Sequence, residues 1–137
     1  MTRHVVFRKD EIPEGGQKLA NVAGRAICVF NQNGEFYALL NRCPHEGGSL
    51  CDGARIGFVQ SSEPGVYNYS RRGELIKCPW HAWEFDIKTG QSYFDPQRTK
   101  VRAYDVNVEA GKDLIKGPYV AETFAVSVEQ DYIVIDV

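Results

Sequence analysis

The sequence predicts an all-β domain. Short runs rich in β-branched, aromatic and aliphatic residues recur along it, each bounded by Gly, Pro, Asn or Asp. No run carries apolar residues at the 3.6-residue spacing that would bury one face of a helix. An Asn33-Gly34 pair stands between two of the apolar runs, which is the strongest short-range hairpin signal. With 137 residues the chain reads as one domain, residues 1–137, able to bury roughly two thirds of its unfolded surface without a cross-link.

Taken in order, residues 4–8 predict a short opening strand, ended by the Ile12-Pro13-Glu14-Gly15-Gly16 loop. Ala26–Phe30 and Phe36–Leu40 form a hairpin about Asn31-Gln32-Asn33-Gly34-Glu35, and this hairpin leads into Cys43. A second hairpin is expected at Val66–Tyr69 and Glu74–Lys77, turned by Arg71-Arg72-Gly73 and leading into Cys78. Glu84–Ile87 reads as a strand with Lys88-Thr89-Gly90 as its turn, and Gln91–Thr99 as irregular chain. Val101–Val108 alternates as a half-buried strand does. Residues 110–119 form a connector, and Phe124–Val128 with Tyr132–Val137 would close the chain as a last hairpin.

A formal charge of −2 and a pI near 5.9 give no basic face for nucleic acid. No segment approaches the ~18 apolar residues of a membrane span, and Met1–Arg8 lacks the apolar core of an export signal, so a cytoplasmic location is expected.

Function is concentrated in Cys43-Pro44-His45 and Cys78-Pro79-Trp80-His81. Each loop offers one thiolate and one imidazole at the end of a hairpin strand, a rigid way to aim distant segments at one point. Two sulfur and two nitrogen donors suit an iron–sulfur site or a tetrahedral zinc site. The other two cysteines, Cys28 in the apolar run Ala26–Phe30 and Cys51 after the first loop, read as packing residues without a chemical role.

Glu46-Gly47-Gly48-Ser49-Leu50 follows the first loop, and Ala82-Trp83-Glu84-Phe85-Asp86-Ile87-Lys88-Thr89-Gly90 follows the second. This whole pattern resembles the Rieske 2Fe-2S proteins, and within them the soluble Rieske-type ferredoxins and the Rieske domains of aromatic-ring oxygenases. The resemblance implies a Rieske-like fold of small antiparallel sheets or a barrel, with a cluster-binding lobe at about residues 42–95. It implies one 2Fe-2S cluster per chain, with Cys43 and Cys78 on the inner iron and His45 and His81 on the outer one. The implied role is a one-electron carrier between a reductase, flavin-dependent by expectation, and a terminal oxygenase or other redox enzyme. The rival expectation is a non-redox module, holding zinc or serving as a small subunit of an assembly.

Two ferric ions, two sulfides and two thiolates sum to zero formal charge, so an electron enters more easily than in an all-cysteine cluster, at about −150 to +300 mV against about −400 mV. Gly48 and Trp80 stand where bc-complex relatives carry loop cysteines, and Trp83 where they carry a serine that donates to a sulfide. Fewer donors predict a potential low in that range and no disulfide between the loops.

Two departures from the family pattern are Ala82 for a usual glycine and the 32 residues, 46–77, between the loops. The excess reads as an insertion at about 55–72. Gly47, Gly48 and Gly90 are expected to let amides approach the sulfides, with Pro44, Pro79 and Pro96 stiffening the surroundings. Asp95-Pro96 belongs by resemblance to a third, capping loop, and Trp80, Trp83, Tyr93 and Phe94 pack about the lobe. An oxygenase would also need an iron bound by two histidines and a carboxylate. Of three histidines only His4 is left over, and it reads as a surface strand residue.

Overall fold

A computed structural model describes residues 3–43, 48–63, 66–79, 84–92, 100–114, 120–121 and 126–137. Ten strands occur among them: β1 (Arg3–Arg8), β2 (Gln17–Val22), β3 (Arg25–Gln32), β4 (Glu35–Leu40), β5 (Ala54–Glu63), β6 (Val66–Lys77), β7 (Glu84–Asp86), β8 (Ala103–Ala110), β9 (Val120–Ala121) and β10 (Asp131–Asp136). One four-residue helix, α1 (Gly111–Leu114), follows β8. Seven strands form one sheet in the order β2-β3-β4-β8-β10-β1-β9, and β5-β6-β7 form a second. Strand β1 also approaches β2, which curls the larger sheet towards a barrel.

The β3–β4 hairpin separates two cores. Asn33 and Gly34 both have positive φ, 55° and 87°, the turn geometry that matches strand twist. Because side chains alternate faces along a strand, Ile27 and Val29 of β3 enter a base core with Phe36, Ala38, Ile133 and Ile135. Cys28 and Phe30 point the other way, into a second core with Leu39, Leu50, Ile76, Phe85, Ile87 and Val101. Residues Ile27–Asn31 are therefore buried without a break, as expected of a strand covered on both faces. Each large aliphatic side chain so buried contributes about 1.5–3 kcal/mol of transfer free energy.

Several expectations are corrected. The second hairpin is larger than its sequence suggests: β6 runs unbroken from Val66 to Lys77 and pairs with β5, so the reversal falls between Glu63 and Val66. Arg71-Arg72-Gly73 is not a turn. The register jumps there, from Ile56↔Leu75 to Phe58↔Ser70, and Gly73 takes φ 77°, so its left-handed backbone serves a bulge.

Strand β2 was not anticipated, because it joins β3 through Ala23-Gly24, both at positive φ. Alanine is strained there by about 1 kcal/mol and gives no turn signal. The closing hairpin is absent among the described residues. Residues 126–128 are not in a strand, and both edges of β10 are taken, by β8 and β1. His4 is not a surface residue: it lies in β1 between β10 and β9 and is only 7% exposed.

Candidate metal centre

Strand register brings the two loops together. Ala54, which opens β5 just after the first loop, pairs with Lys77, the last residue of β6 before Cys78. Paired residues sit ~5 Å apart, so the exit of one loop lies beside the entrance of the other. Lys77 also pairs with Glu84, which makes residues 78–83 the connection between β6 and β7. Gly53 permits this approach: a Cβ there would lie 2.0 Å from the Lys77 carbonyl oxygen.

Cys43 and Cys78 are the cysteines outside any disulfide among the described residues, each 1% exposed, and both belong to the second core. Their donor chemistry fits a metal or iron–sulfur group: two soft sulfurs, shielded from water, are delivered by strand ends into one apolar setting. His45 and His81 lie outside the described residues, as do Pro44, Gly47, Trp80, Ala82, Trp83, Tyr93, Phe94 and Asp95-Pro96. Among the described residues no three of His, Cys, Asp and Glu converge as a metal site.

The first loop is tied at both ends. The Cys43 amide donates to the Gly48 carbonyl at 2.8 Å, closing the loop on itself. Asn41 Nδ2 donates to Ser49 Oγ at 2.9 Å, while the Cys51 amide donates to Asn41 Oδ1 at 2.7 Å. From β2, Gln17 Nε2 donates to the carbonyls of Cys51 and Gly53, at 2.8 and 3.0 Å.

Arg55 ties the β5–β6 hairpin to the base. Its guanidinium donates to the carbonyls of Gly73, Gly16 and Asn31 and to Gln32 Oε1, and stacks 5.3 Å from the Phe30 ring. Burial among these neutral acceptors pulls its pKa below the usual guanidinium value. Glu11 is shifted down on balance. Burial pushes its carboxyl up, but the Arg8 amide and the Lys18 ammonium outweigh burial.

Two further roles differ from expectation. Cys28 and Cys51 are bonded to each other, Cα atoms 5.4 Å apart, although each reads in sequence as plain packing. Their separation of 23 residues carries no signal of pairing; only the turn after the loop brings Cys51 over β3. Gly90 does not offer its amide to the centre but donates it to the Asp86 carbonyl at 2.7 Å. Its φ of 77° and the Val101 carbonyl, 1.9 Å from where a Cβ would be, explain the glycine. Asn41, Gln17, Gly53 and Arg55 were not singled out as site residues; the Asp52-Gly53 pair after the loop was the one available signal.

A surface depression of about 480 Å³, lined by Lys9, Asp10, Ile12, Phe36 and Asp131 among others, lies against the base core rather than the cysteine core.

An all-β frame whose adjoining loops present two shielded thiols is a metal-carrying domain of the iron–sulfur kind. The chain belongs to the Rieske [2Fe-2S] domain family, whose model matches residues 2–105. Its relatives include the ferredoxin component of the naphthalene 1,2-dioxygenase/salicylate 5-hydroxylase systems of Ralstonia sp. That protein is 30% identical over 107 residues, covering 78% of this chain and 88% of its own. The 3-phenylpropionate/cinnamic acid dioxygenase ferredoxin subunit of Escherichia coli (strain K12) is 32% identical over 108 residues, 79% and 87% of the two chains.

Among solved structures, the Sphingomonas yanoikuyae B1 ferredoxin superposes with a TM-score of 0.58 at 25% identity, over 77% and 88% of the two chains. The ferredoxin of carbazole 1,9a-dioxygenase from Nocardioides aromaticivorans IC177 gives 0.62 at 23%, over 97% of each. The prosthetic group is thus a Rieske 2Fe-2S cluster, and the activity is one-electron transfer by a carrier that is not itself the catalyst. The zinc reading is set aside. Among the described residues no helix is long and apolar enough to cross a membrane.

Proposed function

We propose that Cys43, His45, Cys78 and His81 hold the cluster, the cysteines on the buried iron and the histidines on the outer one. The lobe they belong to spans about residues 42–95 of a single domain, 1–137. The protein takes one electron from a reductase, a flavoprotein, and delivers it in the cytoplasm to the terminal oxygenase of a multicomponent system. The observation that carries this reading is the burial, in one core, of two cysteines outside any disulfide, on loops joined by the Ala54↔Lys77 pair.

When bound, the cluster supplies a site that gains and loses a single electron. The chain does the rest. Leu50, Ile76, Phe85 and Ile87 keep water from the sulfur side, so the electron is exchanged through the imidazole side. As ligands, His45 and His81 would each keep a proton on the nitrogen not bound to iron. With Gly48 buried and its carbonyl committed to the Cys43 amide, the first loop adds no side-chain donor at that position, in keeping with a midpoint low in the Rieske range. The long β5–β6 hairpin covers the insertion at about 55–72.

The test is anaerobic purification followed by metal and sulfide analysis. Two irons and two acid-labile sulfides per chain, and an electron-spin signal only after dithionite, are expected. Cys78→Ser and His81→Ala should each abolish both. Two-iron material from the His81→Ala protein with an unaltered spectrum would remove His81 from the ligand set. Delivery is tested by stopped-flow reoxidation of the reduced protein with a Rieske-dependent aromatic-ring oxygenase.

A further inference from the structure

Outside the ligand set, the chain holds a second pair of sulfurs, Cys28 and Cys51, and their position relative to the first loop is specific. Cys28 is fully buried on β3, on the face that packs with Cys43 and Cys78. Cys51 is half-buried in the single turn, Leu50–Asp52, that ends the first loop. Their Cα separation of 5.4 Å lies in the range a disulfide needs without backbone movement. Around Cys51, its amide donates to Asn41 Oδ1 and its carbonyl accepts from Gln17 Nε2, while its bond to Cys28 is the covalent tie between this end of the loop and the base sheet.

We propose that Cys51 is a site of reversible thiol oxidation, resolved by Cys28, and that the bond between them sets how tightly the first loop retains its cluster. The part about retention rests on the assignment of Cys43 and His45 as ligands. The oxidant is a low-molecular-weight disulfide. The half-exposed Cys51 thiolate attacks it, forming a mixed disulfide and expelling one thiolate. The Cys28 thiolate then attacks the Cys51 sulfur, closes the Cys28–Cys51 bond and expels the second. Two protein thiols are oxidised, one small disulfide is reduced to two thiols, and the protons of Cys28 and Cys51 pass to the departing thiolates. A small dithiol reverses the sequence.

The physical consequence follows from the loop's anatomy. Releasing the cluster would require Cys43 to leave its place in the second core, a local opening of the chain that runs into Cys51. With the bond closed, opening must leave Cys51 in place, and the ensemble of opened conformations shrinks. With the bond open, the loop is held there by hydrogen bonds that water can replace.

The experiment uses the cluster-loaded protein, equilibrated with either oxidised glutathione or a dithiol, then acidified and alkylated. Acid frees Cys43 and Cys78, so two alkylated cysteines after the disulfide treatment and four after the dithiol are expected. Four in both treatments, or two in both, would overturn reversible pairing. The second readout is the decay of visible absorbance under an iron chelator. The bonded form should bleach roughly tenfold more slowly than the reduced form, and Cys51→Ser should match the reduced form under both conditions. Equal bleaching of the two wild-type forms overturns the link to retention, whether or not Cys51→Ser folds. If material carries no iron or sulfide at all, the ligand assignment fails instead, and the cysteine count still tests the pairing.

Discussion

Replacing Arg55 with methionine keeps the aliphatic stem and removes the guanidinium. Three backbone carbonyls, of Gly16, Asn31 and Gly73, and the Gln32 side-chain oxygen then each lose one hydrogen bond, while the Gly16 and Asn31 carbonyls keep those from the Asn31 and Gly15 amides. Hydrogen bonds from a charged donor are worth ~1.5–3 kcal/mol each, but this side chain is half-buried and water would reach part of the vacated site. The cation also gives up its contact with Phe30 while escaping the desolvation that lowers its pKa. Weighing these, the net loss should be about 3 kcal/mol.

At ~2.1 cal/mol/K of unfolding entropy per residue, 137 residues lose about 3–4 °C per kcal/mol, so the melting midpoint should fall by about 10 °C. Arg55→Lys keeps the charge but not the four-way geometry and should fall by about half as much. Thermal scans at one fixed rate would follow far-ultraviolet circular dichroism and cluster absorbance together. A methionine variant melting within ~2 °C of the parent would refute the idea that Arg55 joins hairpin to base.

Gly53→Ala should prevent normal loop apposition, since its new methyl would meet the Lys77 carbonyl; a purified variant with less than half the parental iron is the expected result. Tyr104→Phe removes a buried hydroxyl that has no hydrogen-bond partner among the described residues, so denaturant melts should show stability unchanged or raised by up to ~1 kcal/mol. Glu11 has a depressed carboxyl pKa, so its contribution is present above the ordinary carboxylate value and fades as pH falls through the folded one. Glu11→Gln should therefore be less stable than the parent by about 0.5 kcal/mol at neutral pH, and the gap should close as pH falls below the ordinary carboxylate range. A gap that widened in acid would reverse the sign of that argument.

Much of this fold is readable from local chemistry. Asn33-Gly34 declared its hairpin because only a few residue pairs tolerate two positive φ angles, whereas Ala23-Gly24 makes the same turn with a residue that resists it. Arg71-Arg72-Gly73 reads as a turn because glycine in a left-handed backbone looks the same in a bulge as in a turn; the pairing of β6 with β5 decides between them, and pairing is not local. At the centre, the cysteines are named by their loops, since ligand chemistry dictates residue type at fixed spacing. The supports are not: Gln17, Asn41 and Arg55 act across 39 residues or fewer of intervening chain, through bonds that any polar residue could in principle make. The Cys28–Cys51 bond is of the same kind, a tertiary fact with no sequence rhythm.

Strand β3 gives alternate side chains to the two cores, Ile27 and Val29 to one and Cys28 and Phe30 to the other. A strand shared in this way cannot loosen on one side and stay rigid on the other. Brown colour should consequently serve as a gauge of the entire molecule: a defect in the aliphatic layer farthest from iron ought to fade the pigment at the same temperature at which the backbone melts.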